Sequence, residues 1–112
     1  VLIDQEGGSV ARLRQPNFRE YAAAQSFADL YVQNPQAALR AAEISSTLMA
    51  RDLASMGITV NCAPVVDVPA PDCHQFLSGS RTYGRDADSV TALGGAVCRG
   101  LLAGGVTPIL KH

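Results

Sequence analysis

Apolar residues along this chain gather in two kinds of run. The first kind is short and continuous: residues 1–3, residues 59–66, which are β-branched or apolar apart from Asn61, and residues 106–110. Runs of this length bounded by polar residues predict buried strands. Each gives way to a charged group, Asp4, Asp67 and Lys111 respectively. The second kind recurs every three to four residues. Leu39, Ala42, Ser46, Met49, Leu53 and Met56 form one face of a helix predicted over 35–56, with Arg40, Glu43, Thr47 and Arg51 on a polar stripe. Asn34 can cap its first turn, Pro35 has the φ that turn needs, and Gly57 can end it. A second helix is predicted from Asp86 as N-cap to Ala103, with Val90, Leu93, Val97 and Leu101 on one face and Gly104-Gly105 as its stop. Gly94, Gly95 and Gly100 lie inside it, each costing about 1 kcal/mol relative to Ala. Close packing against a strand would explain them.

The order strand, helix, strand, helix, strand requires parallel pairing through right-handed crossovers, an α/β fold. In such folds ligands sit where strands run out at their carboxyl ends. Residues 5–21 and 67–85 follow those ends and are too long for plain connections. They are the places to look for chemistry.

Composition narrows the classes. At 112 residues with 47% hydrophobic, the chain can bury a core. A net charge of −1 with both signs interspersed offers no basic field, so no nucleic acid is expected as a partner. The three cysteines, Cys62, Cys73 and Cys98, are odd in number and lack C-x-x-C spacing, which suggests neither a disulfide framework nor a zinc site and fits a reducing cytoplasm. Cys73 and His74 are adjacent without a third ligand, and read as a solvated loop. No apolar run of about 18 residues and no signal-peptide pattern occurs, so no membrane is expected either, although a chain that begins in mid-strand leaves its true start open.

Asp4-Gln5-Glu6-Gly7-Gly8 has a bland reading as a turn after a strand. Asp4 and Glu6 could be the carboxylate pair of a glycosidase, but residues two apart at a strand-to-turn junction face one another's side only by accident, and the pair is set aside. Neither G-x-G-x-x-G nor Gly-Lys-Ser/Thr is present. The element order still admits a nucleotide- or phosphate-binding α/β module, or a non-catalytic structural piece. Arg12, Arg14, Arg81, Arg85 and Lys111 are solvated charges or, given their places after strands, ligand contacts.

The segments Ile3-Asp4-Gln5-Glu6-Gly7-Gly8 with Val10 and Arg12, Asn61-Cys62-Ala63-Pro64-Val65-Val66-Asp67-Val68, Arg81-Thr82-Tyr83-Gly84-Arg85-Asp86 and Lys111-His112 follow one another in this order. In that order and spacing the chain resembles, over essentially its whole length, the bacterial β-N-acetylhexosaminidases of glycoside hydrolase family 3. The resemblance implies a (β/α)8 TIM barrel, of which residues 1–112 would be a fragment of the N-terminal barrel domain: strands two to four with two connecting helices. It implies retaining hydrolysis of terminal non-reducing β-linked N-acetylglucosamine through a covalent glycosyl-enzyme with His as acid–base, acting on muropeptides in cytoplasmic peptidoglycan recycling without metal or cofactor. Carried over position by position, Asp4 accepts from sugar hydroxyls, Arg12 and Arg81 donate to the sugar, and Lys111 and His112 complete the substrate-binding set. The catalytic groups are expected beyond His112. Asp67 is read as fixing a loop or supporting a binding side chain. Ser9, Ser78 and Ala87 depart from the family's usual Arg, apolar residue and Pro, and remove no binding residue.

Overall fold

Three parallel strands carry the molecule, in the order in which they occur in the chain. The computed structural model describes residues 1–72 and 79–112, so Cys73, His74 and Ser78 lie outside the described residues. The elements are β1 (Leu2–Ile3), α1 (Ala24–Gln33), α2 (Pro35–Ser55), β2 (Val60–Asn61), α3 (Ala87–Ala103) and β3 (Thr107–Pro108). Leu2 and Ile3 pair with Val60 and Asn61, which pair in turn with Thr107 and Pro108, all in parallel. The predicted α/β order and pairing therefore hold.

The strands are shorter than the apolar runs. Pro64 has no N–H to give to a ladder, and the Ala63 N–H turns back to the Asn61 carbonyl at 2.8 Å. Pairing resumes two residues on, where Val66 N–H donates to the Lys111 carbonyl at 2.8 Å and Lys111 N–H donates to that of Pro64 at 3.2 Å. The 59–66 run is thus extended in two pieces. The second piece brings Lys111 beside Val65, at the end of the sheet where the loops gather.

Both predicted helices form where their end signals place them. Asn34 accepts from the Ala37 N–H at 3.1 Å, and Asp86 accepts from that of Ser89 at 2.8 Å. Each satisfies one of the first-turn donors that a helix leaves unpaired. Gly57 follows α2 at φ +77°, a conformation an L side chain rarely adopts. Because α2 ends at Ser55, Met56 falls outside its buried line and is 56% exposed, contrary to the predicted face. Val90, Leu93, Val97 and Leu101 of α3 are all buried.

The glycines of α3 do not share one explanation. Gly94 meets Val66 and Pro64, as strand packing requires, whereas Gly100 meets Ser46 and the Glu43 carbonyl of α2, and the nearest neighbour of Gly95 is only its own helix's Arg99. At Gly100 the two helices approach too closely to admit a Cβ.

Helix α1 has no counterpart among the predicted elements. Ala24, Phe27, Ala28 and Tyr31 nonetheless carry the helical spacing, with Ala24 and Ala28 buried and Phe27 stacked on Tyr83 at 6.5 Å between ring centres. A core of Leu53, Leu93, Leu101 and Val106 joins α2, α3 and the chain entering β3. Among the described residues no helix is long and apolar enough to cross a membrane.

Candidate active site

The site begins with two buried amides. Gln5 N–H donates to Asn61 Oδ1 at 3.0 Å, and Asn61 Nδ2 donates back to the Gln5 carbonyl at 2.8 Å, so the buried amide of the second strand run locks the loop that leaves β1. The Gln5 side chain then organises that loop. Its Oε1 accepts from the backbone N–H groups of Arg12 and Leu13 at 2.8 and 3.1 Å, while its Nε2 donates to the Leu13 carbonyl at 2.9 Å. Gly7 and Gly8, at φ +95° and +57°, turn the chain under Ala22 and Ala23, where a Cβ would collide. Arg12 is thereby returned over Asp4. Its guanidinium lies 3.7 Å from the Asp4 carboxylate.

Charges of both signs interlock beside this loop. Lys111 Nζ donates to Asp4 Oδ1 at 2.8 Å and lies 2.7 Å from Glu6 Oε1. Arg81 donates twice to Glu6, from Nε at 2.9 Å and from NH2 at 2.8 Å, in the two-pronged geometry that guanidinium and carboxylate favour. The hydrogen bond from Lys111 holds the Asp4 carboxyl below its ordinary pKa. Burial alone would raise Glu6, but the bonds from Arg81 and Lys111 outweigh it and hold Glu6 low as well. Burial likewise works against charged Lys111, and the bonds to Asp4 and Glu6 raise its pKa in spite of it.

His112 stands at the edge of the cluster. Its backbone N–H donates to Asp67 Oδ1 at 3.1 Å, and its Nδ1 lies 2.6 Å from Asp67 Oδ2. Arg81 NH2 approaches Nε2 at 3.5 Å. Nδ1 thus faces the Asp67 carboxylate and Nε2 faces the Arg81 guanidinium. Asp67 therefore orients His112. The bonds from His112 hold the Asp67 carboxyl low against the opposing effect of its burial.

Asp4, Arg12, Arg81, Lys111 and His112, the five residues singled out in the sequence, thus share one cluster at the carboxyl ends of the strands. Glu6, to which spacing alone gives no role, stands at its centre: two charge-bearing partners from distant segments reach it, which spacing within residues 4–6 cannot reveal. Arg14 is turned instead to the Ser9 and Ala11 carbonyls of its own loop. Among the described residues no group of three or more His, Cys, Asp or Glu is placed to hold a metal ion.

Carboxylates and an ammonium group, paired and fixed at the carboxyl ends of parallel strands, stand where α/β folds hold their ligands. The chain belongs to glycosyl hydrolase family 3: the model of that family's N terminal domain matches residues 1–112. It is 36% identical over 112 residues to a beta-hexosaminidase of Stenotrophomonas maltophilia, with 100% of this chain and 32% of the relative covered. With beta-hexosaminidase LpqI of Mycobacterium tuberculosis it shares 39% over 119 residues, covering 100% of this chain and 27% of LpqI. The crystal structure of NagZ from Neisseria gonorrhoeae in complex with N-trifluoroacetyl-D-glucosamine superposes with a TM-score of 0.91 at 28% identity, covering 99% of this chain and 32% of NagZ. The chain spans about a third of the length of these relatives.

Proposed function

We propose that the protein carrying this segment hydrolyses terminal non-reducing β-linked N-acetylglucosamine with retention of configuration, and that residues 1–112 are strands two to four of a (β/α)8 barrel with their connecting helices. The observation that carries the reading is the cluster itself, in a chain that matches beta-hexosaminidases from end to end. Asp4 accepts from vicinal sugar hydroxyls. Lys111, Arg12 and Arg81 donate to sugar oxygens from directions set by their carboxylate partners. His112, its Nδ1 turned to Asp67, presents its ring at the edge of the same site. The NagZ complex with an N-acylated glucosamine supports a ligand of this class.

Asp4, Glu6 and Asp67 already balance Arg12, Arg81 and Lys111, so the cluster has little surplus positive charge for a phosphate. That disfavours the nucleotide-binding alternative. In this reading the nucleophile and the acid–base group come from segments outside residues 1–112, no metal or cofactor takes part, and the setting is cytoplasmic turnover of muropeptides.

The test is hydrolysis of p-nitrophenyl N-acetyl-β-glucosaminide by the full-length protein, beside the matching β-glucoside, with the first-formed anomer followed by NMR. Turnover of the N-acetyl substrate alone, giving the β-anomer first, is the expected result. Equal turnover of the glucoside, or an α-anomer first, would overturn it.

A further inference from the structure

Glu6 is placed differently from every other carboxylate in the cluster. Its side chain is 8% exposed, against 42% for Asp4 and 28% for Asp67. Its oxygens are turned to protein cations: Oε1 is shared by Lys111 Nζ at 2.7 Å and Arg81 NH2 at 2.8 Å, and Oε2 accepts from Arg81 Nε at 2.9 Å. Such a group has little capacity left for a ligand. It does join the end of the β3 segment to the loop that precedes α3, two parts of the chain that need a common reference point if their cations are to meet one sugar.

We propose that Glu6 is a positioning residue, which sets the separation and direction of Lys111 and Arg81 so that both address the same N-acetylglucosamine unit; this rests on the sugar-binding reading above. Lysine has a flexible four-carbon stem and three rotatable donors. With Asp4 alone as partner, itself half exposed, Nζ could swing with the loop. Asp4 and Glu6 together take two of its three N–H groups and leave the third in one direction. Arg81 is held by two parallel bonds to the same carboxylate, which fixes the plane of its guanidinium. Donors ordered before the sugar arrives need no ordering when it binds.

The experiment is a set of kcat/KM and thermal-midpoint measurements on the full-length protein with p-nitrophenyl N-acetyl-β-glucosaminide. Glu6→Gln sets an amide N–H₂ against donors and should lower kcat/KM ten- to a hundredfold. Glu6→Asp keeps the buried charge but is one methylene too short to reach both cations, and should lose a comparable factor. Where Lys111→Ala has already removed one client, the further loss from Glu6→Gln should shrink at least threefold. Wild-type kinetics in Glu6→Asp, or an undiminished loss in the Lys111→Ala background, would overturn the positioning role. So would a collapsed midpoint in both Glu6 variants, which would make Glu6 a buried counter-charge of the fold. Absence of turnover in the wild type strikes the hydrolase reading and this one together, whereas wild-type turnover with unimpaired Glu6 variants strikes this one alone.

Discussion

Asp4 and Arg81 are both bonded to an opposite charge, yet their surroundings predict different consequences of losing them. Asp4 leaves 42% of its side chain in water, where an ion pair is worth about 0–1 kcal/mol to the fold. Asp4→Asn in the full-length protein should therefore keep its thermal midpoint while kcat/KM falls ten- to a hundredfold, the loss of one charge-assisted bond to the sugar. Arg81 is 13% exposed and pairs with the better-buried Glu6. Arg81→Ala leaves that carboxylate with Lys111 only, and should cost about 1–3 kcal/mol of stability as well as activity. Urea unfolding beside kinetics separates the two cases. Acid should act through the same groups: Asp4, Glu6 and Asp67 are all held below their ordinary values, so their contribution is complete above the unfolded carboxylate pKa of about 4 and is lost as pH falls through the lower folded values. Stability attributable to the cluster should be level from about pH 5 to 7 and decline below about pH 4. In Glu6→Gln the decline should be shallower. None of these partnerships is visible in sequence, because Asp4 and Lys111 are 107 residues apart and only the sheet joins them.

At the scale of elements, local chemistry was legible wherever a residue acts on its own turn. Asn34, Asp86 and Gly57 do what their types predict, since a cap needs only the backbone three residues away. The interior glycines of α3 were not legible, because what matters there is which surface comes close. A Cβ at Gly100 would run into Ser46 and the Glu43 carbonyl, while one at Gly95 would find only Arg99 at 3.5 Å. Gly100→Ala should accordingly destabilise the full-length protein by about 1–3 kcal/mol, and Gly95→Ala should stabilise it by up to about 1 kcal/mol. Thermal or urea unfolding of the two variants checks the contrast, and equal effects would mean that α2 and α3 do not meet at Gly100.

Over the whole molecule, burial is uneven. Val66, Val68, Val90, Gly94, Cys98 and Leu110 line an open apolar cleft of about 460 Å³, and Leu2 and Leu110 are 59% and 56% exposed. Among the described residues no strand lies beside the outer edges of β1 and β3. Unpaired edges and open apolar clefts promote self-association. The 112-residue chain expressed by itself should bind a hydrophobic dye, elute from size exclusion above its monomer volume, and show no turnover of the N-acetylglucosaminide. A monomeric, active 112-residue chain would refute the proposal that the catalytic groups lie outside it.

The residues alone determined the parallel α/β order, both long helices with their ends, the family, and the five polar residues gathered at the strand ends. These follow from short-range periodicity, caps and motifs, which act over a few residues. Helix α1 carried the same kind of signal in Ala24, Phe27, Ala28 and Tyr31, too brief to stand out within the long segment after β1. Tertiary structure alone decided that Asn61 anchors Gln5, that Asp67 orients His112, and that Glu6 lies between Lys111 and Arg81. Each of those depends on how parallel strands register, and register brings together side chains whose distance in sequence says nothing about their distance in space.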